Sequence, residues 1–184
     1  MTYTHPLIIE RDTDAPALWV GCLAAYNAGK LHGEWMQASS DTAEMFGAIE
    51  EILKVSPEPH AEEWDIMDTD NMPAEAGRTL DSAAAYVAAL EGLSHHADAA
   101  EIVAAWVEWR GADEMDADKI TDAYLGRFDS VEDYAAQYLD DSDALREVPD
   151  WLRPYVSTAA LGRDMEINGD VYHGKNGHTF NGHA

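Results

Sequence analysis

The sequence predicts an α+β fold, and three observations carry that reading. An apolar run bounded by turn residues, Ala17 to Tyr26, is followed by Asn27-Ala-Gly-Lys30 and a second extended run, Leu31 to Gln37, the pattern of a β-hairpin. The stretch from Thr79 to Trp109 is Ala-rich, with its apolar residues at helical spacing. The last third of the chain sets an acidic helix before a closing hairpin signal, Gly174-Lys-Asn-Gly177, in which Asn-Gly suits the primed turns. At this length the chain could be one large domain or two to three small ones; a loose leader over residues 1–16 and the turn signals at Met72-Pro73, Gly77 and Gly111 mark out three candidate segments. These are an N-terminal α+β domain over 17–71, built on a small antiparallel sheet with a helix, a central helical domain over 72–111, and a C-terminal acidic α+β domain over 112–184.

Taken in order, the elements follow from local chemistry. Asp41 to Lys54 is a helix with Met45, Ile49, Ile52 and Leu53 on one face, stopped by Pro57 and Pro59. Trp64 to Asp68 is short and alternating, a third strand for the same sheet. Met72-Pro73 and Gly77 mark a boundary. Two helices then form an αα-hairpin around Ser94-His95-His96, the first with Leu80, Ala84, Val87 and Leu90 on its face, the second with Ile102, Ala105, Trp106 and Trp109. Ala117 to Tyr124 reads as a helix and Leu125 to Phe128 as a short extended segment.

Ser130 with Asp133 three residues later is an N-cap and a weaker form of the capping box. Behind it Val131, Tyr134, Ala135, Tyr138 and Leu139 form one helical face, expected to be buried. Glu132, Asp133, Asp140 and Asp141 fall off that face and are expected in solvent. Pro149 and Pro154 bracket a tight connection, where Trp151 and Tyr155 are the aromatics expected at the surface; the other Trp and Tyr positions fit a core. Thr158 to Met165 is a last helix. Asp170 to His173 and His178 to Phe180 flank the closing turn, in a hairpin expected to face solvent.

Charge dominates the composition. The chain has 36 acidic residues against 11 basic ones, a formal net charge of -25. Between residues 113 and 150 thirteen acids face only Lys119, Arg127 and Arg146, and between Asp41 and Glu75 eleven acids face only Lys54. No basic patch exists to neutralise phosphates, so direct nucleic-acid binding is excluded. Self-repulsion on this scale destabilises a compact state. Halophilic adaptation, divalent-cation binding and imitation of a polyanion all remain open on charge alone. There is no long apolar run and no membrane span. The first residues lack a basic and apolar leader pattern, and the single Cys22 cannot form an internal disulfide, so a cytoplasmic location is expected.

Catalytic and metal signatures fail on inspection. Asp116-Ala-Asp118 continues with Ile120 and Thr121, and Asp68-Thr-Asp70 with Met72 and Pro73, so neither meets the fifth and sixth positions of a calcium loop. His173 and His178 fall near a turn without a completing Cys or His, and His95-His96 point apart. No nucleophile elbow, zinc-protease pair or phosphate loop is present. Carboxylates on exposed helix faces stay ionised, which suits a permanent anionic surface and not acid catalysis. No enzyme activity, cofactor or metal is expected.

Three segments in the same order resemble the ArdA antirestriction family. They are Ala25-Tyr-Asn-Ala-Gly-Lys-Leu-His-Gly-Glu-Trp35, then Glu63-Trp-Asp-Ile-Met-Asp68 leading to Met72-Pro73, then the helix from Gly126 to Asp141 followed by Val148-Pro-Asp-Trp-Leu152. Leu161-Gly-Arg-Asp-Met165 and the closing hairpin are similar as well, so the resemblance spans Leu18 to Phe180. The leader and the Ala-rich middle depart from it. The resemblance implies a cytoplasmic protein of mobile elements that mimics B-form DNA, with an elongated three-domain subunit forming a homodimer. It implies a type I DNA restriction-modification enzyme as partner, inhibited by occupation of its DNA-binding groove. The mimic surface is then expected at Asp116, Asp118, Asp122, Asp129, Glu132, Asp133, Asp140, Asp141 and Asp143, with Glu50, Glu51, Glu62, Asp68 and Asp70 from the earlier block. At one charge per about 1.7 Å of duplex axis, 25 charges correspond to about 42 Å, or about 12 base pairs. A generally acidic or halophilic interaction module without mimicry is the alternative.

Overall fold

A computed structural model describes residues 12–184; most of the expected leader, residues 1–11, lies outside the described residues. The chain is α+β and divides into two compact units, Met1–Ala117 and Asp118–Ala184.

The first unit holds a three-stranded antiparallel sheet in the order β2-β1-β3, from β1 (Ala17–Cys22), β2 (Gly33–Gln37) and β3 (Trp64–Asp70). β1 places Leu18, Val20 and Cys22 on the core side, as strand alternation requires. The strand expected to run to Tyr26 ends at Cys22 instead. Leu23–Asn27 winds into a short helix, α1, which breaks at Gly29 with φ of 73°, and the return strand starts at Gly33, leaving Leu31 exposed. Pairing ends at Gly21–Gly33 on the β2 side and at Cys22–Trp64 on the β3 side, and beyond it Ala24 and Ala25 favour the helix.

α2 (Thr42–Lys54) is capped by Asp41, whose side chain accepts from the Ala43 N–H at 2.8 Å, and buries Met45, Ile49 and Ile52 as its spacing predicts. β3 pairs with β1 as expected and runs on to Asp70. α3 (Leu80–Gly92) begins at a reciprocal cap between Thr79 and Ser82. Its Leu80, Ala83 and Ala84 share one core with Leu18, Val20, Met36 and the α2 face, so packing is continuous across residues 71 and 72. The core side of α3 is turned toward Tyr86 and Ala89, while Val87 and Leu90 are half-buried. α4 (Ala99–Arg110) completes the helical hairpin; Trp106 is buried and donates from Nε1 to the Glu114 carbonyl at 3.0 Å. A 3-10 turn follows over Ala112–Glu114.

The second unit opens with α5 (Ala117–Ala123), at the boundary, and β4 (Tyr124–Arg127). α6 (Val131–Asp141) and α7 (Thr158–Asn168) follow, with a 3-10 turn at Arg153–Tyr155 between them. β5 (Val171–His173) and β6 (His178–Asn181) close it. The sheet order is β4-β6-β5, all antiparallel. The closing hairpin is therefore not a solvent-facing appendage. β6 is the central strand, and His178, Thr179 and Phe180 are buried, with the Tyr124 hydroxyl 3.0 Å from His178 Nδ1.

α6 is capped by Ser130 as expected, but its apolar face is only partly covered. Ala135 is buried, Val131, Tyr134 and Leu139 are half-buried, and Tyr138 is 44% exposed, which corrects the expectation of a fully buried stripe. The cause lies in how closely α7 approaches. A Cβ at Gly162 would lie 2.7 Å from the Val131 carbonyl oxygen, so the helices meet nearly backbone to backbone. Such a contact encloses a small residue and leaves the larger aromatics to pack sideways, Phe128 on Tyr134 and Tyr134 near Tyr138.

Candidate functional site

The acidic helix α6 shows how the candidate surface is built. Ser130 Oγ caps the helix by accepting from the Asp133 N–H at 3.2 Å and donates to Asp133 Oδ2 at 2.6 Å. Thr158 Oγ1, at the start of α7, donates to Glu132 Oε1 at 3.1 Å. Gln137 Nε2 donates to Asp141 Oδ2 at 3.3 Å. All three donors are uncharged. They orient the carboxylates without cancelling their charge, which a Lys or Arg in the same place would do.

Helix electrostatics point the same way. Glu132 and Asp133 in the first turn are favoured by the positive end of the helix dipole. Asp140 and Asp141 in the last turn are disfavoured by its negative end, and no basic residue sits there. A helix shaped for stability alone would carry Lys or Arg at that end. The two carboxylate groups lie about 12 Å apart along the axis, from eight residues at about 1.5 Å each. Burial, and then the neighbouring Tyr138, push the Tyr134 phenol above its ordinary value, so it stays neutral beneath them.

The other expected residues of this unit are also exposed: Asp118 and Asp122 on α5, Asp129 before the α6 cap, and Asp143, with φ of 53°, after the helix. In the first unit Glu50 and Glu51 lie on the outer face of α2, opposite its buried residues, Glu62 precedes β3, and Asp116 precedes α5. Asp68 and Asp70 lie on β3; Asp70 is half-buried, the only one of the expected set that is not exposed. The charge of Glu51 is cancelled locally, because Lys54 pairs with it across one helical turn. That hydrogen bond, with the Glu51 charge, holds the Lys54 ammonium above its ordinary value.

Two features escaped the sequence reading. The bond from Thr158 to Glu132 joins residues 26 apart in the chain, and no local pattern announces it. On β1, Trp19 stands in register with Trp35 of β2 and Asp68 of β3, the last residues of two segments that carry the family resemblance. Their alternation with Leu18 and Met36 was the available signal. Among the described residues no group of three His, Cys, Asp or Glu is placed to hold a metal ion, and no helix is long and apolar enough to cross a membrane.

Fold and surface together define a small acidic α+β protein with a fixed anionic exterior. The sequence model of the antirestriction protein (ArdA) family matches residues 18–180, nearly the whole chain, and the chain belongs to that family. Membership implies an antirestriction function. Among curated proteins no match is found.

Proposed function

We propose that the protein mimics B-form DNA and occupies the DNA-binding groove of a type I restriction-modification enzyme, inhibiting it as a homodimer by stoichiometric occupancy. The observation that carries this reading is the set of α6 carboxylates oriented by Ser130, Gln137 and Thr158, donors that leave the charge intact. A groove that binds duplex DNA presents Lys and Arg at phosphate positions, and its affinity comes largely from counterion release. Carboxylates fixed on helix faces recruit the same cations and release their own counterions on binding. Dimerisation would lengthen the imitated charge track, and Trp151, Leu152, Tyr155 and Val156 supply an exposed apolar patch for it.

Competition tests the proposal. A fluorescent duplex bound to a type I enzyme should be displaced by the protein, with endonuclease inhibition reaching a plateau at a fixed protein-to-enzyme ratio. Failure to displace the duplex, or continued inactivation below that ratio, rules the mechanism out.

A further inference from the structure

In the first unit an apolar cleft of about 310 Å³ lies where the end of β2 meets α2 and α3. Its floor is the margin of the core: Met36, Ala38 and Met45 are buried, and Ala48 and Val87 half-buried. Glu44 of α2 and Glu91 of α3 line it and are exposed, and among the described residues no Lys or Arg lines it. The described end of the leader is tied at the opposite edge of the sheet, beside β3, where Asn71 Nδ2 donates to the Thr13 carbonyl at 2.7 Å. The two carboxylates are set in different ways. Ser39 Oγ accepts from the Asp41 N–H at 3.1 Å and donates to Glu44 Oε2 at 2.7 Å, which aims Glu44 without cancelling its charge. Glu91 sits in the last turn of α3, where the negative end of the helix dipole disfavours it and no basic residue compensates. Among the described residues its side chain makes no hydrogen bond or ion pair. A cation bound beside Glu91 would relieve a repulsion that the folded chain otherwise carries.

We propose that this cleft receives a lysine side chain of the protein partner, its methylenes on the floor of Met36, Met45 and Val87 and its ammonium shared by Glu44 and Glu91. The inference rests on the proposed function, in that the partner offers a basic groove. Charge complementarity selects a cation, and the apolar floor selects one with a long aliphatic stem. Lysine suits the cleft better than arginine. A guanidinium forked onto Glu44 has to share an oxygen with the Ser39 hydroxyl, and among the described residues no aromatic ring lines the cleft for it to stack on. An ammonium is a compact charge with three rotatable donors, so it can serve carboxylates from two helices at once.

The test uses full-length protein with 13C-labelled methionine methyls, titrated with N-acetyl-lysine amide or N-acetyl-arginine amide at matched ionic strength. The Met36 and Met45 signals, assigned through Met36→Leu and Met45→Leu, should shift with the lysine compound and show nuclear Overhauser contacts to its methylenes. The arginine compound should do so far less. Equal response to both, no response, or shifts confined to Met67, Met72, Met115 and Met165 overturns the proposal. In the duplex-displacement assay Glu44→Gln combined with Glu91→Gln should weaken the protein about threefold to tenfold. Glu75→Gln combined with Glu166→Gln removes the same charge from exposed positions outside the cleft and should weaken it less. Equal loss in the two double variants likewise overturns the proposal. If the protein displaces no duplex yet Met36 and Met45 respond to lysine, the groove-occupancy reading fails while the lysine site stands; displacement with silent methyls is the reverse result.

Discussion

Gly162 shows at the scale of one residue how tightly the second unit depends on a missing methyl. In an exposed helix, Gly→Ala is favoured by about 1 kcal/mol through propensity. On α7 the added Cβ would meet the Val131 carbonyl oxygen at 2.7 Å and the Glu132 nitrogen at 3.2 Å, both backbone atoms that cannot move without shifting α6. Overpacking of this kind typically costs about 1–3 kcal/mol. Gly162→Ala should therefore lower stability in urea denaturation; an increase would show that α6 and α7 separate easily. It should also loosen the Thr158–Glu132 hydrogen bond, since both partners sit at that contact. Tyr138, by contrast, is nearly half exposed, so its truncation removes much less buried surface than loss of a core aromatic.

α6 as an element separates folding from function. Its apolar side and its Ser130 cap hold it in place, while its carboxylates contribute little to stability. Changing Glu132→Gln, Asp133→Asn, Asp140→Asn and Asp141→Asn together removes two favourable and two unfavourable dipole interactions, each about 0.3–1 kcal/mol. The net effect on the unfolding midpoint should be near zero, and amide oxygens can still accept from Ser130, Gln137 and Thr158. Inhibition should fall, and its dependence on salt should become shallower, because fewer counterions leave on binding. The measurement is duplex displacement over a salt series with circular dichroism of the variant alongside. A folded fourfold variant with the parent's potency at every salt concentration would remove α6 from the binding surface.

For the whole molecule, a net charge of -25 raises the question of salt. The alternative to mimicry is an acidity that serves solubility in concentrated salt. The first unit has a continuous core of sheet, α2 and α3, and the second has a paired sheet with buried Phe180 and Ile120. These cores, not bound salt, are expected to hold the chain folded. At 0.15 M salt the protein should unfold cooperatively on heating and scatter light as a homodimer, at twice its 20.2 kDa mass. Folding only in molar salt would favour the halophilic alternative, and a scattering mass of one chain would contradict the dimer.

Sequence alone was enough to determine what depends on neighbours in the chain. The Ser130 cap, the buried side of α2, the helical hairpin and the two β-hairpins all come from turn chemistry and periodicity over a few residues. The outward placement of Glu132, Asp133, Asp140 and Asp141 was legible for the same reason. Tertiary structure decided what depends on residues far apart. It ended β1 at Cys22, placed β6 between β4 and β5, left Tyr138 exposed, and brought Thr158 to Glu132 and Asp68 to Trp19. Periodicity tells which side of an element is apolar. Strand register and the closeness of helix packing tell how much of that side is covered, and both are set by the element lying opposite.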